Sequence, residues 1–188
     1  MEKRNGPVTL AGERLVLRPW TDSDLAPHAI LNDDAEVMEH MPRRLDRADS
    51  DAMAARIRDD LDTRGWGLWA ADVDGVFIGW IGLNPVPFEA HFTPAIEVGW
   101  RLARPYWGHG YATEGARLAI AFAFAELGLD EIVSFTVPAN LRSIAVMERL
   151  GMTHDPADDF DHPRLSETSP LLRHVLYRLP ASAVSSQP

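Results

Sequence analysis

The residues best suited to chemistry in this chain lie in one glycine-rich turn, residues 104–115, with the sequence RPYWGHGYATEG. Gly108 and Gly110 let the backbone turn with little side-chain bulk, so several free N–H groups can converge on one point where a helix begins. The helix dipole adds partial positive charge at that point. The turn therefore predicts an anion site, and its natural guest is a phosphate or a diphosphate.

Two other phosphate-binding motifs do not fit this turn. A P-loop needs Gly-Lys-Ser/Thr to reach the terminal phosphates, but Tyr111 follows the second glycine. A dinucleotide-binding fingerprint needs a third glycine at the position of Thr113. Such a fingerprint also lies near the start of its domain, whereas more than a hundred residues precede this turn. A plain strand-to-helix turn, in which the glycines only relieve crowding, stays open as an alternative.

The elements on either side of the turn must position it. The residues before it alternate as in a strand, with one face formed by Ile96, Val98, Trp100 and Leu102 and the other by Glu97, Gly99 and Arg101. The residues after it have helical spacing, with one face formed by Ala112, Ala116, Ala119, Ala123 and Leu127. The turn therefore joins a strand to a helix.

The whole pattern predicts, in order, a strand, two or three helices, three strands, a helix, a strand, a helix and a strand. The first strand covers residues 13–20, a helix follows the capping residues of Thr21-Asp-Ser-Asp, and a second short helical piece covers 32–41. Residues 72–75 form a hairpin turn, while 84–93 and 155–167 are loops. This order predicts one domain of class α/β (α+β layered) over residues 12–180, between a flexible N-terminus, 1–11, and a disordered tail, 181–188.

Composition narrows the classes of function. The 188 residues include 28 acidic and 18 basic side chains, for a formal charge of −10, which argues against nucleic acid as a partner and weakly favours amines. No cysteine is present, so a thiolate metal site and a cysteinyl acyl intermediate are excluded, and a reducing cytoplasm is compatible. The most apolar run is too short to span a membrane, and the start lacks the apolar run of a signal peptide.

Two motifs together resemble a known family. The sequence YWGHGYATEG, followed some thirty residues later by Asn140-Leu-Arg-Ser143 and by MERLGM from Met147, resembles the GNAT superfamily of acyl-CoA-dependent N-acyltransferases. Within it the chain is most similar to the RimJ/RimL-type branch, which includes enzymes that acetylate ribosomal-protein N-termini. The resemblance implies a mixed, mostly antiparallel sheet of six or seven strands with helices on both faces. It also implies that the strand with Glu97 and the strand at 131–137 splay apart to hold the acyl-CoA.

The same resemblance assigns roles around the turn. It implies that the diphosphate is held by the backbone N–H groups of Gly108, His109, Gly110, Tyr111 and Ala112. Arg104 is a further candidate for a phosphate, whereas Pro105 replaces a residue that is often Gln or Arg in the family. A backbone N–H near Val98 or Gly99 polarises the thioester carbonyl.

The resemblance also implies the acid and base. Glu97 occupies the strand position where many relatives place a catalytic carboxylate, so it is the expected base; Asp161 with His162 is the second candidate. Asn140 caps the helix that follows and also bonds the pantetheine arm or the acceptor. Ser143 is the expected proton donor to the departing thiolate, because Met147 stands where many relatives have a tyrosine.

These observations predict a cytoplasmic N-acetyltransferase that uses acetyl-CoA directly, without a metal. The acceptor is a primary amine, either a protein N-terminus or a small molecule, and the protein is a monomer or a homodimer. Two other functions stay open: a non-catalytic module that binds or senses acyl-CoA, and a nucleotide-binding enzyme of different chemistry.

Overall fold

One mixed sheet forms the centre of the protein in the computed structural model, which describes residues 6–184. Its strands are Leu10–Ala11 (β1), Val16–Arg18 (β2), Leu68–Val73 (β3), Val76–Pro85 (β4), Ile96–Leu102 (β5), Glu131–Thr136 (β6), Thr153–His154 (β7), Phe160–Asp161 (β8) and Arg173–Pro180 (β9). They lie in the order β1-β2-β3-β4-β5-β6-β9-β7, and β8 pairs with β9. Neighbouring strands pair antiparallel except β5 with β6, which pair parallel.

Helices cover both faces of this sheet. They are Leu25–Asp33 (α1), Arg47–Arg64 (α2), Tyr111–Glu126 (α3), Leu141–Arg149 (α4) and Ala181–Val184 (α5). On one face α3 packs so closely on β4 that a Cβ at Gly115 would lie 2.4 Å from Ile81 Cδ1, so a larger residue there would require the Ile81 side chain to move. Consecutive strand residues point to opposite faces, and Trp80, next to Ile81, lies on the face that α1 covers. The predicted fold class is therefore confirmed, although the sheet of the described residues has nine strands instead of six or seven, because it includes the short strands β1, β7 and β8.

The parallel strands β5 and β6 pair at a single position, Glu97 with Val133. Beyond it β5 continues to Leu102 and β6 to Thr136 with no further pairing between them. The two strands thus diverge toward their carboxyl ends, as the family resemblance predicted. Glu97 lies at the point where the divergence begins.

Several predicted elements differ from the structure. Residues 34–43 form turns instead of a second helix, because the Asp34 side chain accepts the N–H groups of Glu36 (2.8 Å) and Val37 (3.2 Å) and so replaces helical hydrogen bonds. The segment predicted as a flexible N-terminus includes β1, whose residues pair with β2. The rest of that segment, residues 1–5, lies outside the described residues.

Two further differences concern the carboxyl-terminal third. The segment 155–167, predicted as a loop, contains the strand β8, which Phe160 anchors with 6% of its surface exposed. The segment predicted as a disordered tail begins with the helix α5, and residues 185–188 lie outside the described residues. Both elements are short, so no periodic pattern in the sequence could reveal them.

Candidate active site

The glycine-rich turn has the backbone geometry that its sequence predicts. Gly108 has φ +77° and Gly110 has φ +83°, a region that disfavours any other residue, and Gly110 caps α3. The first helical hydrogen bond to this cap joins the Glu114 N–H to the Gly110 carbonyl at 3.0 Å. The preceding N–H groups of the first turn, from Tyr111 onward, therefore have no acceptor within the helix and are available to an anion.

Arg14 holds this turn in place from the other end of the chain. Its Nη1 donates to the His109 carbonyl (2.8 Å), and its Nε donates to Glu114 Oε2 (2.8 Å). The Arg14 backbone N–H also donates to Glu114 Oε1 (2.8 Å), and the guanidinium lies 5.1 Å from the centre of the Tyr111 ring. No local pattern in the sequence indicates this role, because Arg14 and His109 are 95 positions apart.

Two basic side chains near the turn contact the acidic segment between α1 and α2. Arg104 pairs with Glu36 and lies 3.9 Å from Asp34. Arg142 pairs with Glu39 at 3.1 Å, and its guanidinium lies 4.4 Å from the centre of the Trp107 ring. Arg104 is thus engaged with carboxylates, and its contact with a phosphate stays a prediction.

Glu97 lies on the β5 face opposite to the fully buried Val98. Its side chain is half-buried, and its Oε1 lies 4.0 Å from the position that a Cβ on Gly99 would occupy. Within residues 6–184 no hydrogen bond or ion pair to its carboxylate is present. Burial raises the pKa of Glu97 to about 8, because the charged form loses hydration. A carboxyl group with this pKa can accept a proton at a pH slightly above neutral.

The second candidate base has a different setting. Asp161 is exposed and pairs with Arg173 at 3.4 Å on the neighbouring strand β9. His162 is half-buried against Phe88, with ring centres 4.6 Å apart, and its Nδ1 accepts the Arg164 N–H at 3.2 Å. Burial lowers the pKa of His162, so its ring is neutral at pH 7. Asp161 is thus occupied by an ion pair, whereas Glu97 has no such partner.

Asn140 and Ser143 form one hydrogen-bonded unit where β6 leads into α4. Asn140 Oδ1 accepts the Ser143 N–H at 3.2 Å, which confirms the predicted cap. Asn140 Nδ2 donates to Thr136 Oγ1 and to Ser143 Oγ, both at 3.0 Å. Because Ser143 Oγ accepts this bond, its own proton stays available to another group. Met147 is buried in the core and cannot replace a tyrosine in proton donation.

The described residues, 6–184, meet the requirements neither of a membrane-spanning helix nor of a metal site. No helix among them is long and apolar enough to cross a membrane. The same residues hold no group of three or more histidine, aspartate or glutamate side chains arranged to bind a metal ion.

The sequence profile of the acetyltransferase (GNAT) domain matches residues 14–153, which include the turn, Glu97 and the Asn140–Ser143 unit. The chain belongs to the GNAT acetyltransferase family. A curated GNAT relative, the FsC-acetyl coenzyme A-N(2)-transacetylase of Aspergillus fumigatus, is 43% identical over 94 residues. The match covers 48% of this chain and only 40% of that relative's length.

Solved structures support the same GNAT assignment. An acetyltransferase from Agrobacterium tumefaciens has a TM-score of 0.73 and 28% identity, over 95% of this chain and 98% of that one. The RimJ protein of Mycobacterium smegmatis, in complex with CoA-disulfide, has a TM-score of 0.77 and 19% identity, over 96% of this chain and 90% of that one. Because the identity to RimJ is only 19%, this similarity shows that the two proteins share a fold and no more.

Proposed function

We propose that this GNAT enzyme transfers an acetyl group directly from acetyl-CoA to a primary amine. The diphosphate of the donor binds the N–H groups from Gly108 to Ala112, and its pantetheine arm lies between the diverging strands β5 and β6. The thioester then reaches the neighbourhood of Glu97. The observation that carries the proposal is the half-buried Glu97 carboxyl, which has no partner in the described part of the chain and lies at the point where these strands separate.

The chemistry requires a neutral amine. A lysine amine, with a pKa near 10.4, is neutral in only about one molecule in two thousand at pH 7, whereas an α-amine near 7.8 is about one-seventh neutral. Glu97 takes the proton of the amine, directly or through water. The nitrogen attacks the carbonyl carbon, the new C–N bond forms, and the C–S bond breaks to release the CoA thiolate.

Two groups on this chain assist the transfer. A backbone N–H near Val98 or Gly99 stabilises the negative charge that develops on the carbonyl oxygen. Ser143 donates its proton to the departing thiolate and regains a proton from solvent, while Asn140 holds its oxygen by a hydrogen bond of 3.0 Å. The products are an N-acetyl amide and CoA with a free thiol.

The test has two stages. The melting temperature is first measured with acetyl-CoA, CoA, ATP and NAD in parallel, because a ligand at about one hundred times its Kd stabilises a protein by roughly 2.7 kcal/mol. For a chain of this size that corresponds to a rise of about 5–10 °C. A rise with the two CoA species alone supports the donor site, whereas a rise with ATP or NAD instead refutes it.

The second stage measures the release of free CoA thiol over a panel of amines that includes small molecules and peptide N-termini. Thiol release that depends on the amine supports the transferase. Binding of CoA with no turnover on any amine would instead favour a module that only binds or senses acyl-CoA. The proposed setting is the cytoplasm, with the enzyme as a monomer or a homodimer.

A further inference from the structure

A row of three cross-strand residue pairs forms one face of β4 and β5. In order the pairs are Asn84 with Glu97, Gly82 with Gly99, and Trp80 with Arg101. Neither residue of the middle pair has a side chain, but the Gly82 position is closed by the Gly67 carbonyl oxygen, which would lie 2.0 Å from a Cβ there, so the space on this part of the face lies at Gly99. A Cβ on Gly99 would meet only the Trp80 ring, at 3.6 Å, and Glu97 Oε1, at 4.0 Å. A carboxyl group therefore stands at one end of the row and a guanidinium at the other.

Arg101 is held firmly but has no acidic partner among residues 6–184. Its Nη1 donates to Asn32 Oδ1 at 2.7 Å, its Nη2 lies 3.3 Å from Met41 Sδ, and its guanidinium lies 5.2 Å from the centre of the Trp80 ring. The buried Asn32 is itself fixed, since its Nδ2 lies 2.9 Å from His28 Nε2 and 3.2 Å from Ser50 Oγ. These contacts use two of the five N–H donors of the guanidinium and orient the group.

The lack of an acid beside Arg101 is unusual for this chain. Acidic residues outnumber basic ones by 28 to 18, and most arginines in the described residues form ion pairs. The described arginines without an ion pair, apart from Arg101, are all exposed: Arg56, Arg117, Arg149 and Arg164. Arg101 itself is half-buried, and a guanidinium partly removed from water without a counter-charge is costly to the fold. Burial lowers the pKa of Arg101 to about 10, which still leaves it charged at neutral pH.

We propose that Arg101 binds a carboxylate of the acceptor, so that the acceptor is a small amino acid whose amine lies toward Glu97. This inference rests on the proposed function and narrows its acceptor class. Glu97 and Arg101 are four residues apart on one strand, which places their Cα atoms about 13 Å apart. Both side chains are long, so a ligand that lies along this face between them can present its amine to Glu97 and its carboxylate to Arg101. A guanidinium binds a carboxylate with two parallel hydrogen bonds, which also orients the amine.

The experiment compares matched acceptors on the wild-type enzyme. Each amino acid is assayed beside its carboxamide and its decarboxylated amine, together with short peptides that present the same residue at the N-terminus. We expect kcat/KM for the amino acid to exceed that for its carboxamide by about 10-fold or more, because a charged hydrogen bond is lost with the carboxylate. Equal values, or a preference for the peptides, would overturn the inference.

A variant assigns the preference to Arg101. In Arg101→Met the ratio of kcat/KM for amino acid over carboxamide should fall to near one, whereas a merely structural role would lower both values together. The control Arg56→Met removes an exposed arginine of α2 and should leave the ratio unchanged. If Arg101→Met does not fold, judged by its thermal shift with CoA, the wild-type comparison alone still decides. Turnover of no amine at all would refute the proposed function, whereas turnover without a carboxylate preference refutes only this inference.

Discussion

Replacing Glu97 by glutamine should remove both the activity and the pH dependence that this residue confers. With a pKa of about 8, about one Glu97 in eleven is ionised at pH 7 and about ten in eleven at pH 9. If only the ionised form accepts the proton of the amine, kcat/KM for the wild type rises about 10-fold between these values. Loss of a general base typically costs about 10²- to 10⁴-fold, so the deficit of Glu97→Gln should be largest at pH 9.

The same substitution should stabilise the fold at high pH. The folded pKa of Glu97 lies above its ordinary value of 4.5, so the carboxyl adds stability below pH 4.5 that is lost as the pH rises through about 8. The full shift corresponds to at most about 5 kcal/mol, and the partial exposure of the side chain reduces this. We expect Glu97→Gln to be about 1–3 kcal/mol more stable than the wild type at pH 9 and equally stable at pH 4.

The assay measures thiol release and melting temperature from pH 5 to 9.5, with the titration of the acceptor amine measured separately and divided out. Glu167→Gln, which changes an exposed glutamate, is the matched control and should behave as the wild type. If Glu97→Gln keeps the wild-type rate and the wild-type pH profile, Glu97 is not the base. A higher stability at pH 9 with unchanged turnover would show that Glu97 is buried but not used.

Three further substitutions test the donor side. Gly110→Ala should weaken CoA binding, measured by calorimetry, because it strains a backbone with φ +83° and places a Cβ 3.3 Å from Arg14 Nη2. The control is Gly128→Ala, beyond the other end of α3, where φ is +65° and the Cβ position is open. This control should lower the stability of the fold without changing CoA binding. Arg14→Gln should weaken CoA binding about 10-fold by releasing the His109 carbonyl, and an unchanged Kd would show that the turn needs no support. Ser143→Ala should lower kcat about 10-fold or more with little change in KM; normal turnover would leave this serine a binding role at most.

The sequence alone predicted the parts of the site that depend on local pattern. The alternation around Val98 placed Glu97 and Gly99 on one strand face, and the two glycines with the following alanines marked the start of α3. Asn140 was recognisable as a cap because its position before a periodic apolar pattern is specific. Local patterns of this kind suffice because strand and helix faces follow directly from residue spacing.

The sequence could not predict contacts between distant segments. Arg14 reaches the turn across 95 positions, and the missing counter-charge of Arg101 is visible only when every neighbour of its guanidinium is known. The turns at 34–43 were mistaken for a helix because the side-chain hydrogen bonds of Asp34 compete with helical ones. The raised pKa of Glu97 likewise depends on burial by residues from several elements.

The positions of Glu97 and Arg101 on one strand face predict that a carboxylate in the acceptor changes the base. In the free enzyme at pH 7, Arg101 is charged and Glu97 is mostly protonated. An acceptor carboxylate that lies between Arg101 and Glu97 brings a negative charge nearer to Glu97 than the Arg101 guanidinium is, which disfavours the ionised carboxyl and raises the pKa of Glu97. The profile of kcat reports the enzyme–substrate complex, and that of kcat/KM reports the free enzyme. The rising part of the pH profile of kcat should therefore lie at higher pH with an amino acid than with the decarboxylated amine. The pH profiles of kcat/KM for the two acceptors should coincide after correction for the titration of each amine. Coincident kcat profiles would mean that the carboxylate does not bind within electrostatic reach of Glu97.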